Sequence, residues 1–438
     1  MLSDGNIIVL GGGLAGLAAS IAADAPVYEA ASQAGGIACS DRVDGFTFDR
    51  GIHILQTTNL ELLDWLKSLG VTFQEHRRNA YIYSHQTYTA YPFQVNTAGL
   101  PIGLRVRCLW QYLTRDRDSK AHNYEEWMYR TLGNGFADTF LIPYSEKFWT
   151  VSPREMTHEW TGNRVPQPSP AQVIRGAFWS KQTRIGTNTD FRYPHGEAGY
   201  GEVAAALENQ ARANLHLEHR AVEVDVERRR VTFANGQTAG YSVMVSTIPL
   251  PVLISICPQA PGEVRQAASK LRTNSILVVN LGIEREAISD RHWVHFPEKD
   301  VSFFRISYPH NFGPDVAPGG KSSISAEVAY SVNDGIDPEK TTERVIADLI
   351  RVGAMKSTDK IITRTTHNIP YAYCIYDMQR TEALRVIHAW LRSCSIIPAG
   401  RYGLWTYFWS DESILSGKKA GGTALERLAG QMSTNASS

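Results

Sequence analysis

The sequence predicts an α/β fold: a Rossmann-like dinucleotide-binding domain with an inserted substrate domain, which holds a mixed or antiparallel sheet and a helical subdomain. Three observations predict it. The chain begins with a strand, a glycine turn and a helix in immediate succession. Short apolar strands recur at 243–249 and 396–400, far along the chain. Between these pieces lie helical runs before residue 150 and a group of strands over 276–330. At 438 residues the chain is too long for one simple core, so two or three domains are expected.

Asn6–Leu10 is mostly apolar and partly β-branched, as suits a strand buried on both faces. Gly11, Gly13 and Gly16 then occupy the three glycine positions of a dinucleotide-binding turn. The first allows the tight turn, the second lets backbone approach a pyrophosphate, and the third lets helix pack on strand. Leu14 to Ala22 is the covering helix. Leu14 and Ala15 open it, where free N–H groups and the positive dipole end meet phosphate. Val27-Tyr28-Glu29 is a second strand ending in an acid. Glu29 falls near the position of a ribose-binding carboxylate, with Ala30 beside it. Gly35 and Gly36 would let backbone approach a second part of a long cofactor. Phe46 and Phe48 alternate like a strand, and Asp49-Arg50-Gly51 turns the chain toward Ile52 and His53.

A nicotinamide dinucleotide fold would move on to a crossover helix here. The second glycine pair and the aspartate–glycine turn instead resemble FAD-dependent enzymes of the amine oxidase and mutase type. The resemblance implies FAD as cofactor, held by a Rossmann-like domain of the GR2 type, with Gly51, Ile52 and His53 near the flavin.

The bulk composition excludes little but is consistent with this. Lys plus Arg equals Asp plus Glu, 44 each, so net charge points to neither nucleic acid nor an acidic membrane. No run of 18 apolar residues exists, and the first strand leaves no room for a signal peptide. Five scattered cysteines lack metal spacing, which fits a reducing cytoplasm and no metal.

Leu60 to Leu69 reads as a helix and Tyr81 to Ala90 as a hairpin. Pro92 ends that hairpin, and Phe93 is core by its own chemistry. Leu100 to Arg115 and Tyr124 to Leu132 look helical, with Gly133 and Gly135 breaking the second. Ser152 caps a helix start at Pro153. The Pro92-Phe93 stretch, the Pro143-Tyr144 to Trp149 stretch and Asn163-Arg164-Val165-Pro166 are similar to UDP-galactopyranose mutases. That similarity implies Phe93 and Arg164 as substrate contacts, unless Arg164 only pairs with a nearby acid. The turn Pro194 to Gly201, ahead of an alanine-rich helix over Val203 to Ala213, departs from the mutases. It is similar to protoporphyrinogen oxidases and phytoene desaturases.

Leu215 to Val231 reads as two strands about an arginine turn, and Asn235-Gly236 is a hairpin signal. In these families a residue at Val222 packs its backbone on the adenine, and the Val243 to Pro249 strand re-enters the FAD domain. Ile276 to Ile283, Trp293 to Phe296, Val301 to Ile306 and Ser322 to Tyr330 read as strands, and Thr341 to Gly353 as an amphipathic helix. Arg305 sits among large apolar neighbours and needs a partner. The mutase resemblance assigns it to substrate pyrophosphate. Tyr371, Tyr373 and Tyr376 surround Pro370, with flat faces and polar tips for a flavin or sugar. Leu384 to Arg392 is helical and Ile396 to Gly400 a strand. Gly400 and Arg401, then Trp405, Tyr407 and Trp409, lead to Asp411 as the cap of a final helix over Glu412 to Leu428. The resemblance brings this hook, with Ser413 and Ile414, under the flavin.

The expected division is FAD-binding over 1–75, 201–260 and 386–430, with substrate-domain segments at 76–200 and 261–385. The first functional expectation is a mutase-like pyranose/furanose isomerisation of a nucleotide-activated sugar. Arg164 and Arg305 would bind its pyrophosphate, Arg305, Tyr373, Tyr407 and His53 would be catalytic, and Phe93, Tyr371, Tyr376 and Trp405 would contact substrate. It would use reduced FAD, with NAD(P)H as a reductant. The second is an FAD-dependent oxidase, dehydrogenase or desaturase, which the Pro194 to Gly201 turn favours. The third is a flavin carrier without chemistry. The substrate, the reductant and the oligomeric state stay open.

Overall fold

The computed structural model describes residues 6–162, 164–179, 183–186 and 189–436; Asn163 of the Asn163–Pro166 stretch lies outside them. A five-stranded parallel sheet is assembled from distant parts of the chain. Its order is Ile396–Pro398, Val243–Ser246, Ile7–Leu10, Val27–Tyr28, Leu215–His216. Ile7–Leu10 is buried on both faces, which is why it reads as an unbroken apolar run. The Leu14–Ala23 helix covers one face, and the closing helix, Ser410–Ala436, packs across it. Gly417 and Gly421 make that crossing possible. A Cβ on Gly417 would stand 2.0 Å from the Ala15 carbonyl oxygen, and one on Gly421 2.6 Å from that of Ala19. Backbone cannot rotate away as a side chain can. Gly417→Val is therefore expected to push the closing helix off and cost about 2–3 kcal/mol. Chemical denaturation would measure this, and faster loss of cofactor should accompany it.

The second sheet has seven strands, ordered Ile361–Cys374, Thr273–Ile283, Ser322–Ser331, Arg305–Ser307, Trp293–His295, Ala80–Ser84, Thr87–Ala90. All pairings are antiparallel except Trp293–His295 against Ala80–Ser84, so the sheet is mixed. The central strand Thr273–Ile283 explains its own lack of polar alternation. Ile276 and Val278 enter a core with Phe148 and Trp149, while Leu277, Val279 and Leu281 enter another with Val345 and Leu349. Helices Ile102–Leu113, Tyr124–Phe136, Ile142–Trp149 and Pro170–Phe178 form the helical part.

Gly133 does break the second helix, as expected. Its backbone is non-helical at φ +75°, ψ 158°, the chain resumes as helix beyond it, and a Cβ there would meet the Gln111 carbonyl at 2.3 Å. Several boundaries differ from expectation. Ser152 caps only one 3₁₀ turn, Pro153–Glu155. Of the Val301–Ile306 stretch only Arg305 and Ile306 join the sheet, in a strand that runs on to Ser307. Gly400–Gly403 makes a single helical turn, and the closing helix is longer at both ends than expected. The five cysteines are unpaired, four of them buried.

His292 gives this fold an acid-sensitive joint. It is 7% exposed, its Nδ1 accepts the Asn79 N–H at 3.0 Å, and its ring stacks on Phe312 at 5.4 Å. Burial first, then His76, pushes its pKa down to about 4. Between about 6.5, the unfolded value, and 4, the unfolded chain holds the extra proton. Stability is therefore lost as pH falls through this window, by up to about 2–3 kcal/mol. The His292→Phe variant should show a flatter stability profile than the parent between pH 7 and 4, measured by denaturant unfolding.

Candidate active site

Two adjoining cavities meet at a seam between the sheets. The larger, about 510 Å³, runs along the glycine turn. Gly11 is at φ +94°, and a Cβ there would stand 2.5 Å from Thr247 Oγ1. That hydroxyl reaches the Leu10 and Gly11 carbonyls at 3.0 and 3.1 Å, pinning the turn. A Cβ on Gly16 would lie 1.7 Å from the Gly11 carbonyl oxygen, so Gly16 packs beneath the turn and not in the cavity. Gly13 caps the first helix with no side-chain hydrogen bond. The first-turn N–H groups, including those of cavity-lining Leu14 and Ala15, therefore have no intrahelical acceptor. They are a ready site for pyrophosphate. Glu29 lines the same cavity with both oxygens fixed: Oε2 accepts the Gly12 N–H at 2.6 Å and Oε1 the Ala31 N–H at 2.8 Å. Gly35 donates its N–H to the Gly12 carbonyl at 2.7 Å, which joins the second glycine pair to the first turn. Ala30, Gly36, Gly400 and Ser413 also line this cavity. A long dinucleotide fits this donor set: carboxylate for ribose, helix amides for phosphates, and a path onward to the seam.

His53, Arg401, Trp409, Ser410, Ile37, Arg50 and Ile369 line both cavities. His53 Nδ1 lies 3.1 Å from the Gly51 carbonyl, which can only accept. The ring therefore carries its proton on Nδ1 and leaves Nε2 as an acceptor. Burial first, then Arg401, lowers its pKa to about 4, so it is neutral at pH 7. Arg401 donates through Nε and Nη2 to the Phe408 carbonyl and through Nη1 to Ala372, at 3.1 Å. Its fixed charge at the seam is held by carbonyls and not by a carboxylate.

The smaller cavity, about 280 Å³, lies over the mixed sheet. Cross-strand register sets Glu327, Arg305 and His295 side by side on one face. Glu327 is 3% exposed and receives Arg305 bidentately, Nη2 at 2.9 Å and Nε on the other oxygen. Its Oε1 also accepts the Ile52 N–H at 3.3 Å, which ties the ion pair to the loop carrying His53. His295 Nδ1 pairs with the Tyr144 hydroxyl at 2.9 Å, and burial, Arg305 and Arg78 hold His295 far below the usual imidazole range. Arg164 pairs with Glu412 at 2.8 Å, donates to the Tyr407 carbonyl at 2.8 Å and lies over Trp409 at 4.9 Å. The Tyr407 ring packs between Tyr373 and Trp149 at 5.4 and 6.0 Å. Burial raises the Tyr373 pKa to about 12, so its phenol stays protonated. Five arginines line this cavity (Arg50, Arg78, Arg164, Arg305, Arg401) with one carboxylate, Glu327.

The structure thus brings Arg164, Arg305, Tyr373, Tyr407, Gly51 and Ile52 to the smaller cavity. Other expected contacts lie elsewhere. Val222 is 46% exposed at an irregular pairing between Ala221 and Glu223; Arg220 and Ala221 line the cofactor cavity in its stead. Phe93 is fully buried against Phe136 and Phe140. Trp405 is fully buried in a core with Leu250 and Ile387. The Tyr376 hydroxyl accepts the Tyr407 N–H at 2.9 Å, and so positions Tyr407 without lining the cavity. Tyr371 lines the cofactor cavity. Ile414 and Asp411 are buried off both cavities, and Asp411 sits inside the first turn of the closing helix. There Glu412 takes the capping role, accepting the Trp409 N–H at 2.7 Å.

Glu327, Thr247, Arg78 and the Tyr144–His295 pair escaped sequence reading. The Pro143-Tyr144 stretch carries a family resemblance, but nothing there names His295 as partner. The remaining local signal is spacing, since Phe140, Tyr144 and Phe148 share a helical face, and Trp293 and His295 a strand face. The Pro194 to Gly201 turn lines neither cavity. It folds onto Asp49, whose carboxylate accepts the Tyr193 hydroxyl at 2.9 Å and the Tyr200 N–H at 3.1 Å.

Comparison with known proteins agrees with this geometry. The family model described as flavin containing amine oxidoreductase matches residues 15–383. A solved structure of reduced UDP-galactopyranose mutase is 25% identical, with TM-score 0.92, covering 97% of this chain and 94% of that one. A putative protoporphyrinogen oxidase from Exiguobacterium sp. 255-15 is 17% identical, TM-score 0.75, covering 97% and 100%. Cyclohexylamine oxidase from Brevibacterium oxydans IH-35A is 15% identical, TM-score 0.69, with the same coverage. Among the described residues no helix is long and apolar enough to cross a membrane, and no cluster of histidine, cysteine or acid residues could hold a metal.

Proposed function

Because the chain belongs to the family of flavin-containing amine oxidoreductases and is an FAD-dependent enzyme, we propose that it isomerises a nucleotide-activated sugar between pyranose and furanose forms. The observation that carries this reading is the arginine-lined cavity beside the seam. Three of the five guanidiniums pair with carboxylates (Arg305 with Glu327, Arg164 with Glu412, Arg50 with Asp41), and the remaining excess of positive charge favours an anion such as a diphosphate over an alkylammonium substrate. The whole-length likeness to a UDP-galactopyranose mutase supports the same reading.

Bound and reduced, with NAD(P)H as its reductant, FAD supplies the nucleophilic chemistry that mutases use at the anomeric carbon. Arg305 and Arg164 bind the diphosphate, each already oriented by a carboxylate. Arg401 sets a fixed positive charge at the seam, where negative charge develops. His53 Nε2 accepts a hydrogen bond there, and the Tyr373 phenol donates one. Trp149, Trp160 and Tyr407 close an aromatic wall that keeps water from the reacting sugar. The segments 1–75, 201–260 and 386–430 would carry the cofactor, and the remainder the substrate.

The test is anaerobic incubation of oxidised and reduced protein with nucleotide sugars. A ring-contracted or ring-expanded isomer should form only with reduced protein and with no lasting colour change. Bleaching by a substrate, with recovery in air, would instead establish the oxidoreductase reading. Its sequence support, the Pro194 to Gly201 turn, is off both cavities.

A further inference from the structure

The described residues expose fourteen large apolar side chains, and seven of them gather on two adjacent helices. Ile102, Val106, Trp110 and Leu113 stand on the Ile102–Leu113 helix at 59, 54, 66 and 44% exposure. Ile174, Phe178 and Trp179 stand on or just after the Pro170–Phe178 helix at 38, 56 and 60%. At about 100° per residue, the four on the first helix form one stripe some 80° wide. Arg105 and Arg107 lie beyond its two edges, Arg107 paired with Asp138 at 3.1 Å, and Arg175 stands on the second helix. Arg115, Arg117 and Lys120 follow the first helix and outnumber Asp116 and Asp118. The face is firmly mounted. Arg105 donates to the Ala177 carbonyl at 3.1 Å, the Tyr112 hydroxyl to the Pro168 carbonyl at 2.5 Å, and Gly176 sits against the Val95 backbone.

We propose that this face docks on an anionic phospholipid surface. An apolar stripe flanked by cations is the pattern of a helix lying in the bilayer interface, with the exposed Arg117, Lys120 and Arg175 placed to reach the phosphates. Two tryptophans at its rim suit the headgroup layer. A second copy is the alternative occupant, but a two-fold pairing would bring the cationic flanks against their own copies. A phosphate-bearing surface meets these flanks with the opposite sign. The balanced charge of the whole chain conceals this local excess.

The full-length, FAD-loaded protein should float with mixed phosphatidylcholine–phosphatidylglycerol vesicles, stay in solution with phosphatidylcholine alone, and be released by raised salt. The double variant Trp110→Ser/Phe178→Ser should lower partitioning more than about tenfold while keeping its yellow colour and melting temperature. Leu60→Ser, 70% exposed elsewhere, should change nothing. Absence of flotation in the parent protein, or flotation untouched by the double variant, would overturn the proposal. So would a parent dimer that the double variant converts to monomer by sedimentation, which would assign the face to a second copy.

Discussion

Arg305→Met and Glu327→Gln are each expected to cost about 3–5 kcal/mol of stability, and the double variant to recover most of that loss. Glu327 is 3% exposed, and without Arg305 its remaining partner is the Ile52 N–H. A buried carboxylate left with one neutral donor is far more costly than an uncharged pair of similar volume. Binding should follow a different pattern. If Arg305 also holds the substrate's diphosphate, affinity for a nucleoside diphosphate falls roughly ten- to a hundredfold in Arg305→Met and stays low in the double variant. Stability from chemical denaturation and affinity from calorimetry, taken over all four proteins, separate the two roles. Affinity that returns with stability in the double variant would reduce Arg305 to a structural partner of Glu327.

Gly16→Ala should yield protein that is colourless as purified and does not take up added FAD. The methyl group would lie 1.7 Å from the Gly11 carbonyl oxygen, and both atoms belong to backbone or are fixed to it. Relief requires the helix to withdraw from the first strand. That withdrawal removes the Leu14 and Ala15 amides from the phosphate site and loosens the Gly12 contact with Glu29. Gly13→Ala is the control, because no atom lies within 4 Å of its Cβ position. It should fold normally, so any loss of FAD affinity there reports contact with the cofactor alone. Flavin absorbance and thermal melting of the two variants would test this.

The cofactor half of the site was legible because its chemistry is local. A tight turn demands glycine at fixed offsets, a buried strand demands an apolar run, and a helix start offers amides to phosphate. All of this is written within the stretch from Asn6 to Gly36. The middle of the second sheet was legible for the same reason, as short apolar runs, but its edge strand Ile361–Cys374 was not, because polar and charged residues interrupt its apolar positions. Side-chain direction elsewhere was less secure. Val222 faces outward at an irregular pairing and Trp405 turns into a core, because neither strand irregularity nor packing partner is a property of a short segment, whereas Phe93 was legible as core from its own chemistry.

The sequence by itself determined the dinucleotide turn, the alternation of strands and helices, and that Arg305 needs a partner. Only the tertiary structure decided which one. Glu327 meets Arg305 through strand register, Glu412 reaches Arg164 across 248 positions, and His295 finds Tyr144 across 151. Backbone geometry and hydrophobic period act over a few residues, so they leave a mark in the sequence. The charge balance of a cavity depends on which distant side chains share it, and that is settled only when the sheets close.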